Sequence, residues 1–164
     1  FVFERVAYTI EWGVNNGGRT DVPNPAASPF PLGGGMPVGS SELAKKNQAK
    51  IDLTPGEDGR APRHRYWSRA LTERHELFHV NDWKDNYYTP KAFEAEAWVE
   101  AQAVAVTLAN LDPAAALTAK EPDFHAKLIE KTFEAQEAYD PGKEIRAYAD
   151  GKAAYQALAD AINP

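Results

Sequence analysis

The chain has 164 residues, of which 43% are hydrophobic and 26% charged, a composition typical of one soluble globular domain with a sizeable core. No apolar run approaches the roughly 20 residues of a membrane span, and the net charge of −6 gives no global reason to expect a nucleic-acid partner. No charged-then-apolar leader opens the chain, and its first residue is Phe1. This start favours a processed product or an excised part of a larger protein, with secretion as one interpretation.

The N-terminal third is predicted to contain strands and loops, because nine of the 11 glycines lie between Gly13 and Gly59. Apolar and polar residues alternate over 5–12, which predicts a strand with one buried face. Residues 51–53 are a second, shorter strand candidate, closed by the turn residues 54–59.

Between these strand candidates, residues 13–41 are rich in glycine and proline and are predicted to form a long loop. Phe30 and Leu32 would pack such a loop onto the surface of the domain. A mobile loop that serves the function, as a lid or pro-segment, is the alternative interpretation.

Four helices are predicted in the rest of the chain, mostly from an N-cap residue followed by proline at the first helical position. Apolar residues of the third and fourth helices are core candidates: Leu128, Ile129, Phe133, Ile145, Tyr148, Tyr155, Leu158 and Ile162. The predicted helices span about 68–85, run from Thr89-Pro90 to about Asn110, and follow Glu121-Pro122 and Asp140-Pro141.

These elements predict a compact α+β domain over 1–164 that is dominated by helices. Residues 1–60 would supply the strand and loop region, 61–110 the two central helices and 111–164 the C-terminal helices.

Histidine spacing gives the strongest functional signal. Cysteine is absent, so a metal would be held by imidazole and carboxylate. The sequence His75-Glu76-Leu77-Phe78-His79 is an H-E-x-x-H motif. On a helix the two imidazoles share one face and can bind one Zn²⁺ at about 2.0–2.1 Å, while Glu76, about 100° round the helix, can act as general base. Two histidines on a solvated or partly buried helix face are the alternative.

A catalytic zinc site needs a third protein ligand and leaves a fourth position to water. The variant motif with a third histidine farther along the same helix is excluded, because Asp82 and Asp85 occupy the required positions. Glu94 and Glu96 of the next predicted helix compete for the role, and only one can face the metal because they lie about 200° apart. Glu94 is preferred because it shares its face with alanine and other apolar residues. An ordinary surface glutamate near a helix N-terminus is the alternative for either.

Other side chains could support the metal site. Asp82 lies one turn after His79 and could hydrogen-bond a ligand imidazole, or it is a solvated acid at the helix end. Stabilisation of an oxyanion could come from a tyrosine or a cation, although packing is the alternative role for each candidate. These candidates are Tyr87, Tyr88, His125, Tyr139, Arg146 and Tyr148.

A basic patch leads into the helix of the H-E-x-x-H motif, because residues 60–74 contain five arginines and only one acid, Glu73. Such a patch could steer an acidic substrate or partner, whereas pairing of the arginines with the acids of this acidic chain is the alternative. The arginines are Arg60, Arg63, Arg65, Arg69 and Arg74.

The motif His75-Glu76-x-x-His79, followed by Glu94-x-x-Ala97, resembles the zincin metallopeptidases of the glutamate-ligand type, the gluzincins. The resemblance covers about residues 68–105. It implies zinc held by His75, His79 and Glu94, with Glu76 as the base, and a protein or peptide substrate. A zinc-stabilised or degenerate scaffold that binds a partner is a second hypothesis, and an effector or toxin peptidase of a larger secreted protein is a third.

Overall fold

The computed structural model describes residues 18–102 and 112–163, and helices dominate them. This confirms the predicted α+β, helix-dominated fold class. Two short strands, β1 (Thr20–Asp21) and β2 (Tyr66–Trp67), form a parallel pair. The α-helices are α1 (Glu42–Leu53), α2 (Arg69–Asp82), α3 (Thr89–Glu100), α4 (Pro113–Tyr139) and α5 (Lys143–Ala161). The strand predicted over 5–12 lies outside the described residues.

Contacts divide the chain into two compact units. Among the described residues, the first unit contains 80–102 and 112–142, and the second contains 18–79 and 143–163. In the second unit, α1, α5 and β2 surround a buried cluster that includes Phe30, Leu53, Tyr66, Tyr155 and Ile162. In the first unit, α3 and α4 pack together and bury Ala92, Ala95, Phe124, Ala135 and Tyr139.

The strand predicted over Ile51–Leu53 is wrong, because these residues form the last turn of α1. Ser41 caps the helix by accepting a hydrogen bond from the Ala44 N–H at 3.2 Å. The sequence pattern concealed the helix because its buried face carries two charged residues, Lys45 and Asp52, besides apolar ones.

Asp52 is fully buried and joins α1 to β2. Its Oδ2 accepts the backbone N–H groups of Arg65 and Tyr66 at 2.8 and 2.9 Å, and its Oδ1 accepts a bond from Gln48 at 3.0 Å. A buried carboxylate is tolerated when such charge-assisted bonds replace its hydration. The Asp52 side chain therefore fixes the strand that leads directly into α2.

Asp52→Ala is expected to lower the free energy of unfolding by about 2–4 kcal/mol, because it leaves two backbone donors without their acceptor. Asp160→Ala is the matched control, since Asp160 also accepts a bond from the glutamine four residues earlier but is exposed. It should change stability by no more than about 0.5 kcal/mol. Urea unfolding followed by circular dichroism measures both variants, and equal losses would contradict the role of Asp52.

The described part of the predicted loop, residues 18–41, is indeed loop apart from β1. Phe30 is fully buried against the Tyr66 ring, whereas Leu32 is 41% exposed. Two glycines are required where the loop approaches other backbone and the tyrosine ring. A Cβ on Gly33 would lie 2.5 Å from the Tyr66 ring, and one on Gly34 would lie 1.9 Å from the Gly18 carbonyl oxygen.

The first two predicted helices are present but are not separated by a turn. A π-helical segment, Trp83–Tyr88, continues α2 into α3, so Thr89 follows residues that are already helical. Tyr88 and Trp83 stack within this segment, with ring centroids 4.8 Å apart. Pro90 lies in the first turn of α3 and has no backbone N–H to donate there. Residues 103–110 of the predicted second helix lie outside the described residues.

The third predicted helix starts too late, because α4 begins at Pro113 and runs through Pro122. Asp112 caps α4 by accepting hydrogen bonds from the N–H groups of Ala114 and Ala115. The pair Asp112-Pro113 therefore starts a helix, a role that the sequence analysis did not give it. Two residues of this helix that were predicted to lie in the core are on the surface, since Ile129 and Phe133 are 57% and 66% exposed. The fourth predicted helix is confirmed as α5 and buries Tyr155 and Ile162 as expected, although Ile145 is 72% exposed.

Candidate metal centre

His75 and His79 lie one turn apart on α2, with their imidazole rings nearly perpendicular in an edge-on contact. The ring centroids are 4.6 Å apart and the two Nε2 atoms 3.1 Å apart. Their side chains are only 12% and 17% exposed. The predicted pairing of the two imidazoles on one helix face therefore occurs in the structure.

The carboxylate that meets the two imidazoles is Glu144, in the first turn of α5. Its Oε2 lies 3.4 Å from His75 Nε2, and its Oε1 lies 3.2 Å from His79 Nε2. The side chain is 55% exposed, so the group opens to solvent on the Glu144 side. Sequence reasoning missed Glu144, because packing of α5 and not spacing along the chain brings it to the histidines.

One ligand atom from each of these three residues lies within 4.8 Å of the other two, a spacing that could hold a metal ion. Four ligands placed tetrahedrally at about 2.0–2.1 Å from a metal are about 3.3–3.4 Å from one another. The two Nε2 atoms are 3.1 Å apart, and each lies 3.2 or 3.4 Å from a different oxygen of Glu144, so each contact is close to that edge length. Two imidazoles and one carboxylate are a ligand set that zinc takes in catalytic sites, with the fourth position left to water.

The surroundings of His75 favour its neutral form, which is the form that binds a metal. Burial and then the neighbouring His79 lower the pKa of His75, against the opposing effects of Glu144 and Glu76. The Tyr148 ring packs against the His75 imidazole, tilted by 40°, with centroids 4.7 Å apart. Tyr148 is therefore the oxyanion candidate that the structure brings into ring contact with His75.

Glu94 belongs to the other unit, where it is exposed and surrounded by cations. It forms ion pairs with Lys91 at 2.9 Å and with Lys131 at 3.1 Å, and Glu134 binds the same two lysines at 3.0 Å. This four-residue ion cluster links α3 to α4. The role of Glu94 or Glu96 as third zinc ligand stays a prediction, while Glu144 is the acid found beside both histidines.

The remaining candidates have other contacts. Asp82 is buried and accepts a hydrogen bond from Asn86 at 2.9 Å. Tyr87 packs edge-on against Tyr139 with centroids 5.3 Å apart, in the same unit. Tyr88 stacks on Trp83, His125 packs against Phe124, and Arg146 lies on α5 two residues after Glu144.

No family model matches the chain, and no similar curated protein or solved structure was found. None of the described helices is long and apolar enough to cross a membrane. The function is therefore inferred from the group formed by His75, His79 and Glu144.

Glu144→Gln is expected to weaken zinc binding at least about tenfold, because the anionic ligand becomes neutral. Glu94→Gln, the matched control, should bind zinc as the parent does, with about one ion per chain. Equilibrium dialysis with zinc analysis by mass spectrometry measures both. Loss of zinc in Glu94→Gln with retention in Glu144→Gln would reverse the ligand assignment in favour of the original sequence prediction.

The ion cluster makes a separate prediction about pH. Hydrogen bonds from Lys91 and Lys131 lower the pKa of Glu94 and of Glu134 below 4.5. Their stabilising contribution is therefore complete above pH 4.5 and is lost as the pH falls through the lowered values. Carboxyl carbon shifts in an NMR titration should give these pKa values, and 1 M salt should raise them because the groups are exposed. Values that salt leaves unchanged would contradict the cluster.

Proposed function

We propose that this chain is a zinc-dependent metallopeptidase whose metal is held by His75, His79 and Glu144. The observation that carries the proposal is the group of His75, His79 and Glu144, whose ligand atoms lie within 4.8 Å of one another at the helix with the H-E-x-x-H motif. Imidazoles bind a metal in their neutral form, so two of them and one carboxylate would leave a bound Zn²⁺ with a net positive charge. Such an ion polarises a carbonyl and lowers the pKa of its bound water to about 7.

Glu76 is the residue proposed to move the proton. It follows His75 on α2 and is exposed, so that its side chain is open to substrate and water. Its negative charge acts on the His75 imidazole and opposes the lowering of the pKa of His75. A carboxylate in this position can take a proton from the attacking water and deliver it to the leaving amine.

Glu76→Gln is expected to keep zinc and to lose hydrolysis of an unstructured peptide library by about 10²–10⁴-fold, since an amide cannot accept the proton. Glu73→Gln is the matched control, because Glu73 is an exposed acid one turn earlier on α2. Zinc content and product formation by mass spectrometry are measured together. Equal hydrolysis by parent and Glu76→Gln would exclude the base role, and absence of hydrolysis by the zinc-loaded parent would exclude the peptidase.

A metal-stabilised binding scaffold is the second candidate, favoured by the position of the Glu144 carboxylate. Each oxygen lies within 3.4 Å of a different imidazole, so both oxygens could bind one ion and fill its fourth position. A closed site of that kind would raise thermal stability and leave no position for water. A crystal structure with zinc, read by anomalous scattering, separates a bidentate Glu144 from one that leaves a water bound.

A further inference from the structure

The His75 imidazole lacks the hydrogen bond that usually orients a metal-binding histidine. Such a histidine normally donates the N–H of its second ring nitrogen to an oxygen acceptor, which fixes the orientation of the ring. In the part of the chain that the structure describes, both polar contacts of His75 are made by Nε2, one with His79 and one with Glu144. These contacts involve the atoms that would bind the metal. The orientation of the ring is therefore left to packing around the imidazole.

Tyr148 supplies this packing from α5, one turn after Glu144. Its ring lies against the His75 imidazole with centroids 4.7 Å apart and planes tilted by 40°, a separation typical of attractive ring pairs. Tyr148 is half-buried, and its hydroxyl forms no hydrogen bond within residues 18–102 and 112–163. The contact with His75 is therefore made by the ring and does not depend on the hydroxyl.

Residues 56–60 form a turn that contacts both the ring and the backbone of Tyr148. The Arg60 guanidinium lies 5.8 Å from the ring centroid, where a cation is attracted by the electron-rich face of the ring. The preceding residue, Gly59, has a φ of 83°, and a Cβ on it would lie 2.4 Å from the Tyr148 carbonyl oxygen. Two consecutive residues thus hold Tyr148 from the side opposite in sequence to α2.

The backbone of Arg60 is itself fixed within this turn. Its N–H donates to Oδ1 of Asp58 at 3.0 Å, and its carbonyl oxygen accepts the N–H of Gly56 at 3.0 Å. The Gly59 N–H donates to the Gly56 carbonyl oxygen, also at 3.0 Å. Arg60 is exposed and forms no ion pair among the residues described, so the Tyr148 ring is the contact of its charged group.

We propose that Tyr148 and Arg60 are positioning residues of the metal centre. The Arg60 guanidinium holds the Tyr148 ring, and that ring holds the His75 imidazole in the orientation in which it binds zinc. This inference rests on the proposed function and names residues that support its metal without binding it. Ring packing here performs the task that a hydrogen bond to the second ring nitrogen performs in other metal sites.

Tyr148→Leu is expected to weaken zinc binding about 10- to 100-fold, the usual loss when the group that orients a ligand histidine is removed. Tyr148→Phe is the matched control, because it keeps the ring and should bind zinc as the parent does. Competition with a chromophoric chelator measures both affinities. The visible absorption of the Co²⁺-loaded proteins reports the coordination geometry and should change in Tyr148→Leu alone. A merely structural role would lower stability and leave this spectrum unchanged.

Arg60→Gln tests the outer contact and does not alter the core, since Arg60 is exposed. It should weaken zinc binding about two- to fivefold, the value of an exposed contact between a cation and a ring. Arg19→Gln is the matched control, because Arg19 lies over another ring, that of Trp67, at 5.9 Å. It should bind zinc as the parent does. This pair of variants keeps the inference testable if Tyr148→Leu fails to fold.

Two results would overturn the positioning role. One is an unchanged zinc affinity in both Tyr148→Leu and Arg60→Gln. The other is an equal loss in Tyr148→Phe and Tyr148→Leu, which would assign the effect to the hydroxyl instead of the ring.

Hydrolysis of the peptide library by the parent separates this inference from the proposed function. Hydrolysis with zinc binding that does not depend on the Tyr148 ring would leave the peptidase and exclude the positioning role. Ring-dependent zinc binding without hydrolysis would exclude the peptidase and leave the positioning role at a metal site. A parent protein that binds no zinc would exclude both.

Discussion

The buried Asp52 carboxylate is the interaction on which the architecture of the site unit depends. It joins the end of α1 to the backbone of β2, and β2 leads through one residue into α2, the helix of His75 and His79. The backbone carbonyl of Asp52 also accepts the N–H of the strained Arg63. One residue thus positions both the helix with the imidazoles and the turn with the arginines. A buried charge that replaces its hydration by directed N–H groups tolerates little displacement of those groups, which gives the site a rigid base.

The third ligand depends on how α5 is held in the same unit. Tyr155 and Ile162 anchor its later turns in the core, and Lys152 donates to the Glu57 carbonyl oxygen at 2.9 Å. Closer to the site, a Cβ on Gly59 would lie 2.4 Å from the Tyr148 carbonyl oxygen, so only glycine permits this approach of the turn to α5. These contacts fix the helix whose first turn carries Glu144. Packing far along α5 and the close approach of the Gly59 turn therefore hold Glu144 in place relative to the two histidines.

Local spacing explains what could be predicted from the sequence. His75 and His79 meet because a helix repeats every 3.6 residues, and that rule needs no tertiary information. Glu144 reaches them only through packing, and α1 was missed because Asp52 and Lys45 occupy positions where periodicity expects apolar side chains. The start of α4 was misplaced because an acid followed by proline occurs twice in this region, at Asp112 and at Glu121, and only the first begins a helix. The failures thus fall where tertiary contacts override a local signal.

The electrostatics of the site form a consistent set. Burial lowers the pKa of His75 and so favours its neutral imidazole, and a Glu144 carboxylate would bring one negative charge, so these ligands would only half neutralise a divalent cation. A residual positive charge favours the deprotonated form of bound water, and Arg63 increases the local positive potential. The same potential would attract anions in competition with water.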